Sequence, residues 1–570
     1  MQCDPSRPCG RVASLLLSGV LPFAAAGCHS SNTPPPSATH ADAHAHAALA
    51  PAQAPVKLVE GLGPVHHRVS TISPEAQKFF DQGLAYMYAF NHNEADRSFA
   101  RAAQLDPNLA MAHWGRALAL GPNYNLPEID AAAAKAAYDE AKRAAALAGH
   151  ANAAERMYMA AVAKRYPADP KGDWRQHAID YKNAMADLTR KYPDDLDAAT
   201  LYAESAMNLR PWKLYDKDGN PAEGTDEIVR VLEWVLARNP NHVGANHYYI
   251  HATEASTTPQ RAMPCAQRLP RLSPSAGHLV HMPAHVYSRT GNYAAAIAAN
   301  ADAAKVDEAY IACCGPKGGF YPTMYYSHNL HFLAFAASMA GRSKEAADAA
   351  GRLSAHIEPG AQQMAMLDGF AAMPTLIYVR QDQWNEVNKL PKPAEDRPAT
   401  LAAWHFARGM ARASTKDVGP ALQELEAMRA AAARAKDIPM GNNSGGAVFA
   451  IAEHVLAAKI AVARGDNATA RSEFEQAVAA QDQLAYDEPP AFPWPVREAL
   501  GARLLLAGDP TAAEKVFRED LVHTPNNPRS LFGLSESLKA KGRHADAADV
   551  RKQFDTAWAG ADTKLRLEEF

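Results

Sequence analysis

The chain lacks an excess of charge of either sign. It carries 58 Lys and Arg against 62 Asp and Glu, a net charge of −4 over 570 residues. Nucleic acid and anionic membrane surfaces are therefore excluded as main partners, because both are bound through dense positive charge. Cysteine is scarce, six in all, which excludes a scaffold built on disulfides. Long apolar runs are missing after the N-terminus, so nothing beyond it reads as a membrane span. Hydrophobic residues at 48% and charged residues at 21% are ordinary for globular protein, and the length exceeds what one core needs. Alanine is abundant; it is the best helix former and lets helices pack closely.

The N-terminus has the form of an export signal. Arg7 and Arg11 precede an apolar stretch, Val12 to Phe23, too short to span a bilayer. Ala25-Ala26-Gly27-Cys28 follows and resembles the lipobox of bacterial lipoproteins, with Ala25 in place of the usual leucine. Residues 1–27 are expected to be a signal peptide and Cys28 the lipidated residue. His29 after Cys28, in place of a retention aspartate, points to the outer membrane, periplasmic side. Residues 28–60, rich in Pro, Ala, Ser and Thr, read as a disordered tether. Its His40, His44 and His46 read as solvated.

The body of the chain repeats. Gly83, Tyr86, Ala95, Phe99, Ala102 and Pro107 stand at the marker spacings of a tetratricopeptide repeat, a pair of antiparallel helices about 34 residues long. The small residues let the helices approach, the aromatic ones fill the gap, and the proline ends the second helix. Pro193, Pro240 and Pro274 mark later repeat ends, and the last two are 34 apart. The fold expected is an all-α solenoid of helix pairs. Residues 61–440 form a first array and 444–560 a second, divided at the glycine-rich Gly441–Gly446. The stretches 121–193 and 353–443 are irregular.

Histidine carries the functional signal. His247 and His251 are four apart, and so are His281 and His285; a shift of 34 superposes the pairs. Residues four apart share a helical face, and in such a solenoid the first helix of each repeat lines the groove. His278 is three before His281, and His328 and His331 open the next first helix. Glu254, three after His251, adds a carboxylate. These eight residues, centred on 243–345, are the candidate metal ligands, enough for one ion or two. Nitrogen ligation with a carboxylate suits copper, zinc or iron. Met282 is a soft neighbour better read as core, and Tyr248, Tyr249, Tyr287, Tyr325 and Tyr326 surround the set. The zinc-protease helix motif is excluded, since Tyr248 and Met282 stand where it needs glutamate. His92, His113, His177, His356 and His454 are scattered and read as surface or core.

Two further groups are candidates. Cys265 paired with Cys313 or Cys314 would clip the His-bearing repeats together; a Cys313–Cys314 bridge would be strained, and thiolate ligation is a third option. Glu204, Asn208 and Arg210 are candidate ligand contacts in the groove, against the plainer reading of a locally paired helix end.

The blocks FDQGLAYMYAFNHNEADRSFARAAQLDP, HYYIH, GHLVHMPAH and HNLHF resemble a family of exported bacterial tetratricopeptide repeat proteins, over roughly Val65 to Gly341. The resemblance implies the fold and a distinct His region, and names no substrate. Three functions stay open: a metal-binding protein or metal-dependent enzyme, redox or hydrolytic; a scaffold holding a protein or peptide in its groove; and a glycan binder using the tyrosines. Imidazoles that converge favour the first, and imidazoles splayed along the axis favour the second.

Overall fold

The computed structural model describes residues 55–313, 320–361 and 365–570, without the side chains of 359–366. The expected signal peptide, Cys28, most of the tether and Cys314 lie outside the described residues. The last tether residues are already docked: the Val59 amide donates to Gln82 Oε1 at 2.7 Å.

Helix follows helix along the chain, each packed on the next. The first pair shows why. Ser73 caps the helix Pro74–Tyr88 by accepting from the Ala76 amide, and Pro74 needs no hydrogen-bond acceptor at the first position. Asn91 caps the partner helix His92–Leu105 in the same way. Phe99 then plugs the space between three helices. A Cβ placed on Gly83 or on Gly115 would stand 2.6 Å from its ring. The same lock recurs far downstream, where Gly501 and Gly533 close on Phe517. Glycine is present here for close approach, and a sign test follows. Gly115→Ala gains helix propensity, about 1 kcal/mol on an exposed helix. Here overpacking against Phe99 outweighs the gain, and the variant is expected to lose about 1–3 kcal/mol in urea denaturation.

The stretches irregular in sequence are regular in fold. Ala131–Ala146, Ala153–Arg165 and Trp174–Lys191 are helices, as are Ala365–Arg380 and Pro398–Ser414. Alanine stands in for the usual markers. The expected break at Gly441–Gly446 is corrected. It is the turn of a small hairpin, Pro439–Met440 against Asn443–Ser444. One hydrophobic core runs across it, from Ala372 to Phe570. The described residues, from 55 to 570, make one compact unit. The reading that no later segment is apolar enough to span is also corrected. The helix Gly445–Arg464 passes by length and composition. In the fold it is a core helix, with Phe449, Ile451 and Leu456 buried against its neighbours.

The array turns back on itself. Asn526 Nδ2 donates to the Thr290 carbonyl at 3.2 Å, and the Ser343 amide to Asp562 Oδ1 at 2.8 Å. The C-terminal repeats are thereby laid over the histidine-bearing ones.

Candidate metal centre

The 34-residue shift places the histidines as the sequence predicts. His247 and His251 lie on the helix Val243–Thr253. His278 and His281 lie on Gly277–His281, and His285 on Pro283–Arg289, where Pro283 interrupts the helical hydrogen bonds. His328 and His331 lie on Ser327–Met339. Two groups of three form. In His247, His251 and His278, and again in His281, His285 and His328, one ligand atom per residue lies within 4.8 Å of the others. The imidazoles converge and are not splayed.

How each ring is held matters more than proximity. His247 Nδ1 is 2.7 Å from the Tyr88 carbonyl, which can only accept, so the proton sits on Nδ1 and the Nε2 lone pair is free. That Nε2 is 3.0 Å from His278 Nε2. One repeat later the pattern recurs. His281 Nδ1 donates to Asn300 Oδ1 at 2.6 Å, and its Nε2 is 2.8 Å from His285 Nε2. Asn300 is fixed in that sense because its amide donates to the Ala296 carbonyl. His251 Nδ1 is 2.9 Å from Glu254 Oε1, while its Nε2 is buried with no partner. Three rings are thus pinned through Nδ1 with Nε2 presented inward, the usual arrangement of histidines that hold metals.

His285 is held differently. Its Nδ1 is 2.6 Å from Glu254 Oε2 and 2.6 Å from Glu488 Oε2, yet neither contact has hydrogen-bond geometry. Glu254, His285 and Glu488 form a third convergent group. Burial lowers the His285 pKa, but the two carboxylates outweigh it and push it up to about 10. Burial raises Glu254, yet His285 and His251 bring it below its usual value. Burial pushes Glu488 up. Burial and the neighbouring imidazoles hold His247, His278, His281 and His328 well below the ordinary histidine value. Those four are neutral, and neutral imidazole is the form that ligates. His331 is pushed down to about 4 by burial. It belongs to neither group, and its Nε2 is buried without a partner.

The groups face a cavity of about 290 Å³ reached by His251, His278, His285, His328 and His331. The other walls come from far along the chain: the hairpin at Met440, and the loop of Asp487 and Glu488. Two aromatic residues press on the first group from strained backbone. Phe90 has φ +55° and Trp212 φ +58°, the left-handed region that bulky residues avoid. The Phe90 ring lies 4.5 Å from His247 and stacks at 5.5 Å on His278. Trp212 meets His251 edge-on at 5.7 Å.

Sequence reasoning missed Glu488, Asn300, the Tyr88 carbonyl and Phe90. The only signal at Glu488 was its proline-rich surroundings, Pro489, Pro490, Pro493 and Pro495. The groove trio lies elsewhere. Asn208 Nδ2 donates to Glu204 Oε1 at 2.5 Å, Arg210 points to Glu223 at 3.5 Å, and none lines the cavity. Of the five tyrosines only Tyr325 reaches it, and Met282 is fully buried in the core as expected. The proposed Cys265 clip is corrected: Cys265 is buried and free, and burial pushes its thiol up to about 11. Its helix Met263–Leu272 packs it into the core. Cys313 is disulfide-bonded.

No family model and no curated protein matches the chain. Among solved structures it is similar to a chain of the APC/C hetero-tetramer Cut9–Hcn1, at 11% identity over 82% of this chain and 77% of that one, with a TM-score of 0.29. It is similar to yeast Tom70 at 12% identity over 85% and 93%, with a TM-score of 0.28. It is also similar to human IFIT1 in a dimer with m7Gppp-AAAA, at 12% identity over 86% and 91%, with a TM-score of 0.34.

Proposed function

We propose that this solenoid is a metal protein that holds two transition-metal ions side by side, one in each group of three histidines, and uses them as a metal-dependent enzyme. The observation that carries this reading is the repeated pinning: Nδ1 fixed by Tyr88, Asn300 or Glu254, and Nε2 turned to a common point. Two nitrogens each about 2.0–2.1 Å from one ion stand roughly 3 Å apart when adjacent in its coordination shell. The separations of 3.0 and 2.8 Å match that spacing. The groups are neighbours, with His278 and His281 stacked at 5.8 Å and His251 meeting His285 edge-on at 5.5 Å. Copper, iron and zinc suit neutral imidazole. Three histidines would hold each ion, and an ion so held would supply Lewis-acid or redox chemistry beside the cavity. We further propose, on the N-terminal sequence, export and anchoring through Cys28 at the outer membrane. The scaffold reading called for splayed imidazoles, and the convergence argues against it.

The test is metal content by mass spectrometry on untagged protein, before and after reconstitution with copper, iron and zinc in turn. Close to two ions of one element per chain is the expected result. Protein that stays metal-free in every reconstitution overturns the proposal.

Phe90 offers a finer check. The equivalent turn position is glycine in five other repeats, at Gly291, Gly341, Gly465, Gly508 and Gly542, and a polar residue in two more, Asp382 and Lys416, all with positive φ. Placing an L-residue there costs about 1–2 kcal/mol, and the cost puts a ring against His247 and His278. Phe90→Gly relaxes the turn and removes the ring. The expected outcome is weaker retention of one ion, by about 10–100-fold as when groups supporting a metal ligand are lost, with the second ion kept and far-ultraviolet circular dichroism unchanged. Equal loss of both ions would count against two separate groups.

A further inference from the structure

The walls of the cavity say what enters it. Apart from the histidines they are mostly apolar: Trp212, Tyr325, Phe370, Met373 and Met440 among them. Among the described residues that line it there is no Lys or Arg, and the ionisable groups besides histidine and Tyr325 are the carboxyls of Asp487 and Glu488. An anion entering this space would lose its water and meet acidic groups, and the one side chain there held in the charged form, His285, is already paired with Glu254 and Glu488. A cavity of about 150 Å³ already accommodates benzene. At about 290 Å³ this one holds one or two rings, and is too small for a peptide or glycan chain. Aromatic rings and methionine sulfur favour an aromatic occupant over an aliphatic one.

One polar atom points to a ligand. His331 lines the cavity, and its Nε2 is buried with no partner. His331 lies one turn beyond His328 on the same helix but in neither metal-holding group. Its ring meets Phe370 edge-on at 5.8 Å, so its open nitrogen sits beside an aromatic wall. A buried polar atom without a partner is costly, and a hydroxyl or N–H on a bound ring would satisfy it.

We propose that the cavity takes a small uncharged aromatic molecule of one or two rings carrying a hydroxyl or N–H that pairs with His331. This deepens the metal reading by naming its substrate class, yet it rests on the cavity walls and not on the ions. Calorimetry with phenol, indole, toluene, benzoate and phenyl phosphate tests it, on metal-loaded and on chelator-stripped protein. Phenol and indole are expected to bind, with benzoate and phenyl phosphate weaker by about tenfold or more in the chelator-stripped protein, where no ion can ligate them. In His331→Leu, phenol loses its advantage over toluene, while toluene binds as before. Either anion binding chelator-stripped protein as tightly as phenol overturns the proposal, as does an unchanged phenol preference in His331→Leu or failure of every compound to bind. The two readings fail separately. Neutral-aromatic preference in protein that takes up no metal leaves this proposal standing without the first. Two ions per chain with no aromatic binding does the reverse.

Discussion

The His247→Ala/His281→Ala protein is expected to come through purification and reconstitution with neither ion. Each substitution removes the imidazole that is best fixed in its group, one pinned to Tyr88 and one to Asn300. Two protein ligands then remain in each group, and stable sites of this kind need three or four. Both side chains are fully buried, so the variant also opens two cavities and is destabilised, by about 2–5 kcal/mol per site. Two milder variants separate lost ligation from lost folding. His328 is only partly buried, and His328→Ala is expected to release the second ion alone. Glu254 serves both groups, with Oε1 beside His251 and Oε2 beside His285. Glu254→Gln is therefore expected to weaken both ions together, by about 10–100-fold. Folded His328→Ala protein that keeps two ions would refute the assignment of the second group.

The fold was legible because its repeat is a packing rule. Gly83, Phe99 and Gly115 interlock for a steric reason, and sterics leave fixed spacings in a sequence. The histidines were legible for the same reason: the offset that carries Val243–Thr253 onto Gly277–Tyr287 carries His247 and His251 onto His281 and His285. Glu488 was not legible. It reaches His285 only because the solenoid turns back, and no local pattern encodes that return. Residues 441–446 misled because the glycines of a tight hairpin and those of a linker look alike. Phe90 was hidden by a conflict, since its sequence context calls for glycine and its function calls for a ring. Cys265 was misjudged because a small buried thiol and a bridging one have the same sequence appearance.

Glu498→Ala is expected to cost about 3–5 kcal/mol, the usual price of leaving a buried charge without its partner. Glu498 pairs with Arg380 through both guanidinium nitrogens, one at 2.7 Å, and both side chains are almost wholly buried. The contact joins helices 118 residues apart, one on each side of the hairpin at 439–444. Glu498 also accepts from Asn527 Nδ2 at 2.8 Å. Arg529 lies close behind, donating to the Arg380 carbonyl at 3.2 Å. Burial and Arg380 already hold the Arg529 pKa down to about 10. Removing Glu498 leaves the buried Arg380 guanidinium without its paired carboxylate and close to Arg529, with Asp382 the nearest remaining acidic group acting on both. Arg380→Met/Glu498→Met should then be more stable than Glu498→Ala alone, because it removes one of those charges along with its partner. Urea denaturation followed by tryptophan fluorescence reads the difference, and a Glu498→Ala midpoint equal to wild type would refute it. The consequence extends to the metal centre. Glu498 sits in the first turn of Arg497–Leu506, which follows directly on the loop carrying Glu488 to His285. A loosened helix start loosens that loop, so Glu498→Ala protein should also bind the second ion less tightly while the first, assigned to His247, His251 and His278, is spared.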